Sequence, residues 1–233
     1  MSLNVAPAEL LAEPLPVAEV IAAALRRQDT DLSAEWRVQD AFRRSGLSEE
    51  LSNALVAPNP LTRVAAARLC GALRMTESVA WIEDLIRDPN PKVKEAAIRA
   101  LGQLGGHRAV EALVGNEERI AVYRLAIALS RAASDIDIEA LMRQPKNEKV
   151  AVVTVLACGL RRDDLRVAPL LGIARDRRWP QQVRVAACKA LGMIGDSSPV
   201  EGLTRLAEGD PVPAVKDAAG RARQRLERTQ VAS

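Results

Sequence analysis

The sequence predicts an all-α fold built from stacked antiparallel helix pairs. Three observations support this prediction. A segment recurs along the chain, its apolar residues follow the spacing of one buried helix face, and the composition suits close helix packing. Hydrophobic residues make up 48% of the 233 residues, but aromatic residues make up only 2%. Small and aliphatic side chains therefore have to fill most of the core.

The clearest copy of the recurring segment begins at the turn Asp88-Pro89-Asn90-Pro91 and continues to Gly105. Related copies follow the turns at 57–60, 176–180 and 210–213. When the copies are aligned on Val93, the equivalent positions lie at 62, 93, 122, 150, 183 and 215. The copies at 122 and 150 are the more degenerate. A regular step of this length is typical of repeat proteins.

Each repeat is predicted to fold as helix, turn, helix. Proline in the turn opens the second helix, because proline fits the first helical turn and is excluded from the interior. Aspartate in the turn, such as Asp88, is expected to cap that helix. Val93, Ala96-Ala97 and Leu101 then share one buried face. We expect Gly102 and Gly105 to end the helix.

This pattern predicts an irregular lead-in over residues 1–16 and a single repeat domain over 17–233. Its helix pairs are expected at 17–27 with 33–45, 48–56 with 60–73, 76–87 with 91–104, 107–113 with 118–132, 135–143 with 147–160, 163–175 with 180–194, and 198–207 with 212–227. The last helix is heavily charged. A polar outer face of this kind is typical of a terminal capping repeat.

The repeat resembles the HEAT-like repeat family, including its short bilin-lyase-type variant, over residues 48–227. The resemblance is most specific at 88–105, 176–195 and 210–225. It implies a right-handed α-α superhelix of about six to seven helix pairs, with the second helices on the concave side. It also implies a scaffold or adaptor that binds partners through this surface or its turns.

A row of basic residues directly follows the aligned position of four repeats: Arg63, Lys94, Arg184 and Lys216. Stacked repeats would align them on one surface, where they could bind an acidic partner. The alternative is structural, because in the family the matching basic residue commonly pairs with the turn aspartate, here Asp88, Asp176 or Asp210. Arg63 is expected to be the freest, since Ala57 replaces the aspartate of its own turn.

A second candidate binding region surrounds Trp179, which lies in the turn of a well-preserved repeat beside Arg177 and Arg178. An aromatic side chain in an exposed turn suits a partner contact, but it could equally fold back over the helix ends. Arg161, Arg162, Arg166 and Arg175 extend this basic region, although nearby aspartates dilute it. We expect packing roles for Trp36 and Trp81.

The remaining sequence signals argue against several classes of site and location. The only histidine, His107, cannot by itself form a usual zinc or di-iron site. No cofactor is therefore expected. Cys70, Cys158 and Cys188 are expected to be small buried hydrophobes, and their spacing favours a reducing, cytoplasmic environment. No stretch is long and apolar enough to span a membrane, and no signal peptide is evident.

The sequence thus predicts a non-enzymatic adaptor that binds an unidentified protein. The main alternative is a nucleic-acid-binding protein, because the net charge is +3 and the C-terminal third is more basic still. Enzymes of similar fold fit less well. A deoxyhypusine hydroxylase needs several histidines, and an alkylpurine DNA glycosylase needs an aromatic-rich cleft. Nothing marks a bilin lyase site.

Overall fold

A computed structural model describes residues 47–231 of the protein. This part of the chain contains twelve α-helices and no β-strand. It divides into two compact units, with the boundary between Arg119 and Ile120. The predicted lead-in at 1–16, the first predicted helix pair and Trp36 lie outside the described residues.

The first unit contains five α-helices. They are α1 (Leu47–Leu55), α2 (Pro60–Ala72), α3 (Val79–Asp84), α4 (Pro91–Leu104) and α5 (His107–Gly115). The second helices, α2 and α4, pack on each other, while α1 packs on α2 and both α3 and α5 pack on α4. The predicted helix 76–87 is interrupted, because 3-10 turns at Thr76–Ser78 and Leu85–Arg87 flank α3. Such turns satisfy backbone groups at helix ends.

The second unit contains seven α-helices. They are α6 (Val122–Ala132), α7 (Asp135–Arg143), α8 (Glu148–Arg161), α9 (Val167–Arg175), α10 (Gln181–Ile194), α11 (Val200–Gly209) and α12 (Pro213–Val231). The second helices α6, α8, α10 and α12 form one packed row. Each of α7, α9 and α11 packs on the second helix that follows it. Paired, stacked helices of this kind confirm the predicted all-α repeat fold.

The helix starts follow the predicted proline rule but use a different cap. Pro60 and Pro91 are the first residues of α2 and α4. The capping side chain is asparagine, since Asn90 Oδ1 accepts from the Lys92 N–H at 2.9 Å. The prediction that Asp88 caps the helix is wrong. Asp88 Oδ1 instead accepts from the Asn90 N–H at 2.8 Å, which closes the turn before the helix.

Glycine allows the second helices to approach closely. A Cβ added at Gly159 on α8 would lie 2.7 Å from the Cα of Ala190 on α10. The equivalent Gly71 on α2 would place a Cβ 2.8 Å from the Cα of Ala100 on α4. Gly102, which was predicted to end α4, is instead buried inside that helix. A glycine at this repeat position serves helix packing, and the sequence spacing does not distinguish this role from a stop signal.

Four repeats place a residue with positive φ within two residues of the end of the second helix. Two of them use glycine, with φ 67° at Gly105 and φ 91° at Gly195. The other two use arginine, with φ 50° at Arg74 and φ 53° at Arg162. A side chain other than glycine is strained in this conformation, because its Cβ approaches the following carbonyl oxygen.

We expect Gly159→Ala to destabilise the protein by about 1–2 kcal/mol. The new Cβ would overlap the backbone of Ala190, and overpacking outweighs the higher helix propensity of alanine. Chemical denaturation measures the change. Gly172→Ala is the matched control, because Gly172 is exposed on α9 and its added Cβ would meet no atom within 4 Å. The control should gain about 0.5–1 kcal/mol, and equal behaviour of the two variants would contradict the close approach.

Replacing either left-handed arginine by glycine should raise the free energy of unfolding by about 1 kcal/mol, because the strain at positive φ is removed. Arg162→Gly tests this in the second unit and Arg74→Gly in the first. Thermal and urea denaturation provide the measurement. An arginine-to-glycine change at Arg99, inside α4, should have the opposite sign.

Candidate functional site

Arg63 connects two successive repeats of the first unit through its guanidinium group. Its Nε donates to Asp88 Oδ2 at 2.7 Å and its Nη2 to Asp88 Oδ1 at 3.1 Å. Its Nη1 donates to the carbonyl oxygens of Ala57 and Pro58. The expectation that Arg63 is the freest of the basic row is therefore wrong. Arg63 pairs with Asp88, the aspartate of the following turn. The replacement of aspartate by Ala57 in its own turn therefore does not leave Arg63 without a partner.

Arg184 makes the equivalent connection in the second unit. Its Nη1 and Nη2 donate to the two carboxylate oxygens of Asp210, and its Nε donates to the Ala174 carbonyl at 2.9 Å. Ala174 lies in the last turn of α9, where carbonyl groups lack helical partners. Arg184 is 2% exposed and Asp210 is 5% exposed. This arginine is thus a buried structural residue rather than part of an open basic row.

The same repeat register explains why Asp176 pairs differently from Asp88 and Asp210. The residue equivalent to Arg63 in the preceding repeat is Ala151, which offers no cation. Asp176 therefore pairs locally with Arg178, whose Nη2 lies 2.8 Å from Asp176 Oδ2. The Arg178 side chain is 91% exposed. Arg177 is also exposed, whereas Lys94 and Lys216 are half-buried.

Hydrogen bonds from arginine control the ionisation of the two buried aspartates. Burial by itself raises the pKa of Asp88 and of Asp210. The hydrogen bonds from Arg63 and Arg184, together with backbone N–H donors, outweigh burial and hold each pKa below its ordinary value. Both carboxylates are consequently charged at neutral pH, and each pair joins neighbouring repeats as a salt bridge.

The basic region around Trp179 is not one continuous surface. Arg161 pairs with Asp135 and also donates to the Ala133 carbonyl at 2.6 Å. Arg166 Nη2 donates to the backbone carbonyl of Asp135 at 3.3 Å. These arginines therefore connect α8 and the following turn to the start of α7. Trp179 itself is half-buried, which is intermediate between its two predicted placements.

A further exposed basic cluster lies on the last helix. Arg221, Arg225 and Arg228 follow one another at helical spacing on α12, and we call these three residues the α12 basic face. They form no ion pair with any residue between 47 and 231. They border an open cleft of about 560 Å³, together with Gln224 and Thr229. The sequence predicts only a polar cap for this helix.

The signal for this surface was present in the repeat register. Arg221 lies six residues after the aligned position, and Lys189 occupies the equivalent position on the adjacent helix α10. Both side chains are exposed. By contrast, several exposed arginines elsewhere form an ion pair with a carboxylate one helical turn away, as Arg99 does with Glu95 and Arg143 with Glu139.

Comparison with known proteins identifies the family. The sequence model for HEAT repeats matches residues 48–130 and 137–223. The chain belongs to the HEAT repeat family. This match, together with the packed rows of helices, confirms the predicted resemblance.

Solved structures to which the chain is similar include human deoxyhypusine hydroxylase in complex with glycerol. It is 18% identical, the alignment covers 91% of this chain and 96% of that chain, and the TM-score is 0.40. An engineered protein is also 18% identical, with 96% of each chain covered and a TM-score of 0.38. At these values neither likeness bears on activity. No curated protein matches the sequence.

The three cysteines lie in the hydrophobic core, as the sequence predicts. Cys70, Cys158 and Cys188 are fully buried, and burial raises the pKa of each thiol to about 11. They are thus protonated and poorly nucleophilic at neutral pH. Trp81 departs from its predicted packing role, because it is 44% exposed on α3.

The described residues also concern two other kinds of site, for a metal ion and for a membrane. Between residues 47 and 231, no group of histidine, cysteine and carboxylate side chains is arranged to hold a metal ion. His107, at the start of α5, instead lies 3.4 Å from Glu111. None of the described helices combines the length and apolar character needed to cross a membrane.

Removing the carboxylate of Asp210 should cost about 3–5 kcal/mol of unfolding free energy, because Arg184 would remain buried without its partner. Urea denaturation of Asp210→Ala measures this cost. Asp176→Ala provides the matched control, since it removes an aspartate whose arginine partner is exposed. The control should change stability much less. Similar costs for both substitutions would contradict a special role for the buried pair.

The same pairs predict loss of stability in acid. A carboxylate whose folded-state pKa is lowered contributes stability above its unfolded-state pKa, about 3.9, and loses it as pH falls through the folded-state value. We expect the wild-type protein to lose stability below about pH 4. The pH dependence should be shallower in Asp88→Asn, which cannot ionise. An unchanged slope would assign acid sensitivity to other groups.

Proposed function

We propose that this HEAT repeat protein is a non-enzymatic adaptor that binds an acidic region of a partner protein. The observation that supports this proposal is the unpaired α12 basic face, together with Lys189 on α10. Unpaired arginines on a repeat surface provide charge complementarity and accelerate association with an acidic partner. The basic row of Arg63, Lys94, Arg184 and Lys216 contributes less to this surface charge. Arg63 and Arg184 are already paired with aspartates in the connections between repeats.

Aliphatic side chains beside the basic residues favour a protein partner. Val185 and Met193 lie one helical turn before and after Lys189 on α10, and both are half-buried. This arrangement combines partly exposed apolar surface with neighbouring cations. Protein interfaces typically bury such apolar groups at their centre and place charges at the rim. A nucleic-acid backbone would instead leave the aliphatic groups without a suitable partner.

We further propose that the protein acts in the cytoplasm. Three cysteines are present in the chain, and all of them are unpaired and buried. Free thiols persist in reducing compartments, where disulfides are rare. Localisation of the tagged full-length protein in its native cell tests this assignment.

Charge reversal on α12 should weaken capture of the partner by more than about tenfold, a loss expected when central interface arginines are removed. The variant is Arg221→Glu combined with Arg225→Glu. Affinity capture from native cell extract compares it with the wild type at low and at high salt, with and without nuclease. Quantitative binding of the captured protein then measures the affinity directly.

The matched control is Arg143→Glu combined with Arg205→Glu, which changes net charge equally on the first helices α7 and α11. The control should retain the partner. A protein lost only from the α12 variant and insensitive to nuclease would support the adaptor proposal. Retention by both variants would place binding elsewhere. Capture that disappears with nuclease would favour the alternative of nucleic-acid binding.

A further inference from the structure

The cleft on α12 has an unusually specific set of donors. Its lining consists of three arginines, Gln224 and Thr229. Arginine offers a planar fork of N–H donors that matches a phosphate group in paired hydrogen bonds. The Gln224 amide adds a neutral donor, whereas the Thr229 hydroxyl already donates to the Arg225 carbonyl at 3.0 Å. The described lining comes from α12 alone and includes no carboxylate, so an anion at this face would meet the guanidinium groups and the Gln224 amide.

The two carboxylates on α12 leave these arginines available. Glu227 pairs with Arg223, with 3.5 Å between its Oε1 and the arginine Nε. Asp217 lies one turn before Arg221, but it forms no ion pair with a described residue. The helix carries five basic and two acidic residues, and its positive charge is concentrated on the α12 basic face. The electrostatic field at the cleft is therefore positive.

We infer that this cleft binds a single phosphorylated side chain in a segment of the partner protein. The inference rests on the proposed function and specifies the chemistry that the adaptor recognises. A phosphoserine or phosphothreonine carries close to two negative charges and three acceptor oxygens, so it can bind several arginines at once. Arginine clusters that bind phosphorylated or acidic motifs are a recurring form of peptide recognition.

The dimensions of the site favour one phosphate over a polyanion. Arg221 and Arg228 are seven residues apart on the helix, which corresponds to about 10 Å along its axis. Duplex-binding proteins commonly contact about 6–10 phosphates, many more than this cluster offers. Positions 185, 189 and 193 along α10 are valine, lysine and methionine, and none of them is an aromatic platform of the kind that binds single strands.

Fluorescence anisotropy with the full chain tests this inference. The probes are a labelled degenerate peptide library centred on phosphoserine, the same library with serine, and the same library with glutamate. We expect the phosphoserine library to bind at least about tenfold more tightly than the glutamate library, a difference of about 1.4 kcal/mol. Equal binding of these two libraries would overturn phosphate recognition.

Charge-conserving substitutions separate phosphate geometry from general electrostatic attraction. Arg225→Lys combined with Arg228→Lys keeps the charge but removes the planar forks, so phosphoserine binding should fall by about tenfold while binding of the glutamate library changes little. Arg143→Lys combined with Arg205→Lys is the control and should leave both unchanged. Circular dichroism checks that the variants remain folded.

The remaining outcomes are also decisive. Wild-type affinity in the α12 lysine variant would overturn the inference, and so would tighter binding of a labelled oligonucleotide than of the phosphoserine library. If partner capture still depends on Arg221 and Arg225 while phosphoserine selectivity is absent, the adaptor proposal stands and the phosphate inference fails. If capture does not depend on these residues, the proposed function fails first.

Discussion

The buried connection between successive repeats constrains much of the rest of this structure. Arg63 and Arg184 each contact the aspartate of the following turn and a backbone carbonyl near the preceding helix. Isolated charges in such positions would be strongly destabilising, but paired hydrogen bonds compensate both members. The pair therefore fixes the position of one turn relative to the next. Because both groups are inside the unit, they are unavailable for a partner.

Close contact between backbones provides the second constraint. Gly159 and Gly71 lack a Cβ, and an alanine of the adjacent second helix occupies the space that this atom would fill. Dispersion interactions between such surfaces depend on dense packing, and small residues make it achievable without large aromatic side chains. The low aromatic content of the sequence is thus consistent with its packing. The charged pairs determine repeat register, while glycine and alanine determine the separation between helices.

These constraints divide chemically similar residues into different roles. Four basic residues share one repeat position in the sequence, yet two are held in connections between repeats, while Lys94 and Lys216 are half-buried. The basic residues with most freedom to contact a partner instead lie five and more residues later, on the exposed face of α10 and α12. On α12 the carboxylate one helical turn before Arg221, Asp217, is exposed and forms no ion pair with a described residue. The binding surface that we propose is consequently one that the repeat itself does not require.

The sequence by itself determined the helical class, the repeat register and most helix boundaries, because these depend on local spacing, proline placement and apolar periodicity. Helix α4 at Pro91–Leu104 and helix α7 at Asp135–Arg143 match their predicted bounds. Only tertiary structure decided which aspartate pairs with Arg63, whether Gly102 ends or packs a helix, and which arginines remain unpaired. Those outcomes depend on contacts between residues about 25 or more positions apart, and such contacts follow from how the helices stack.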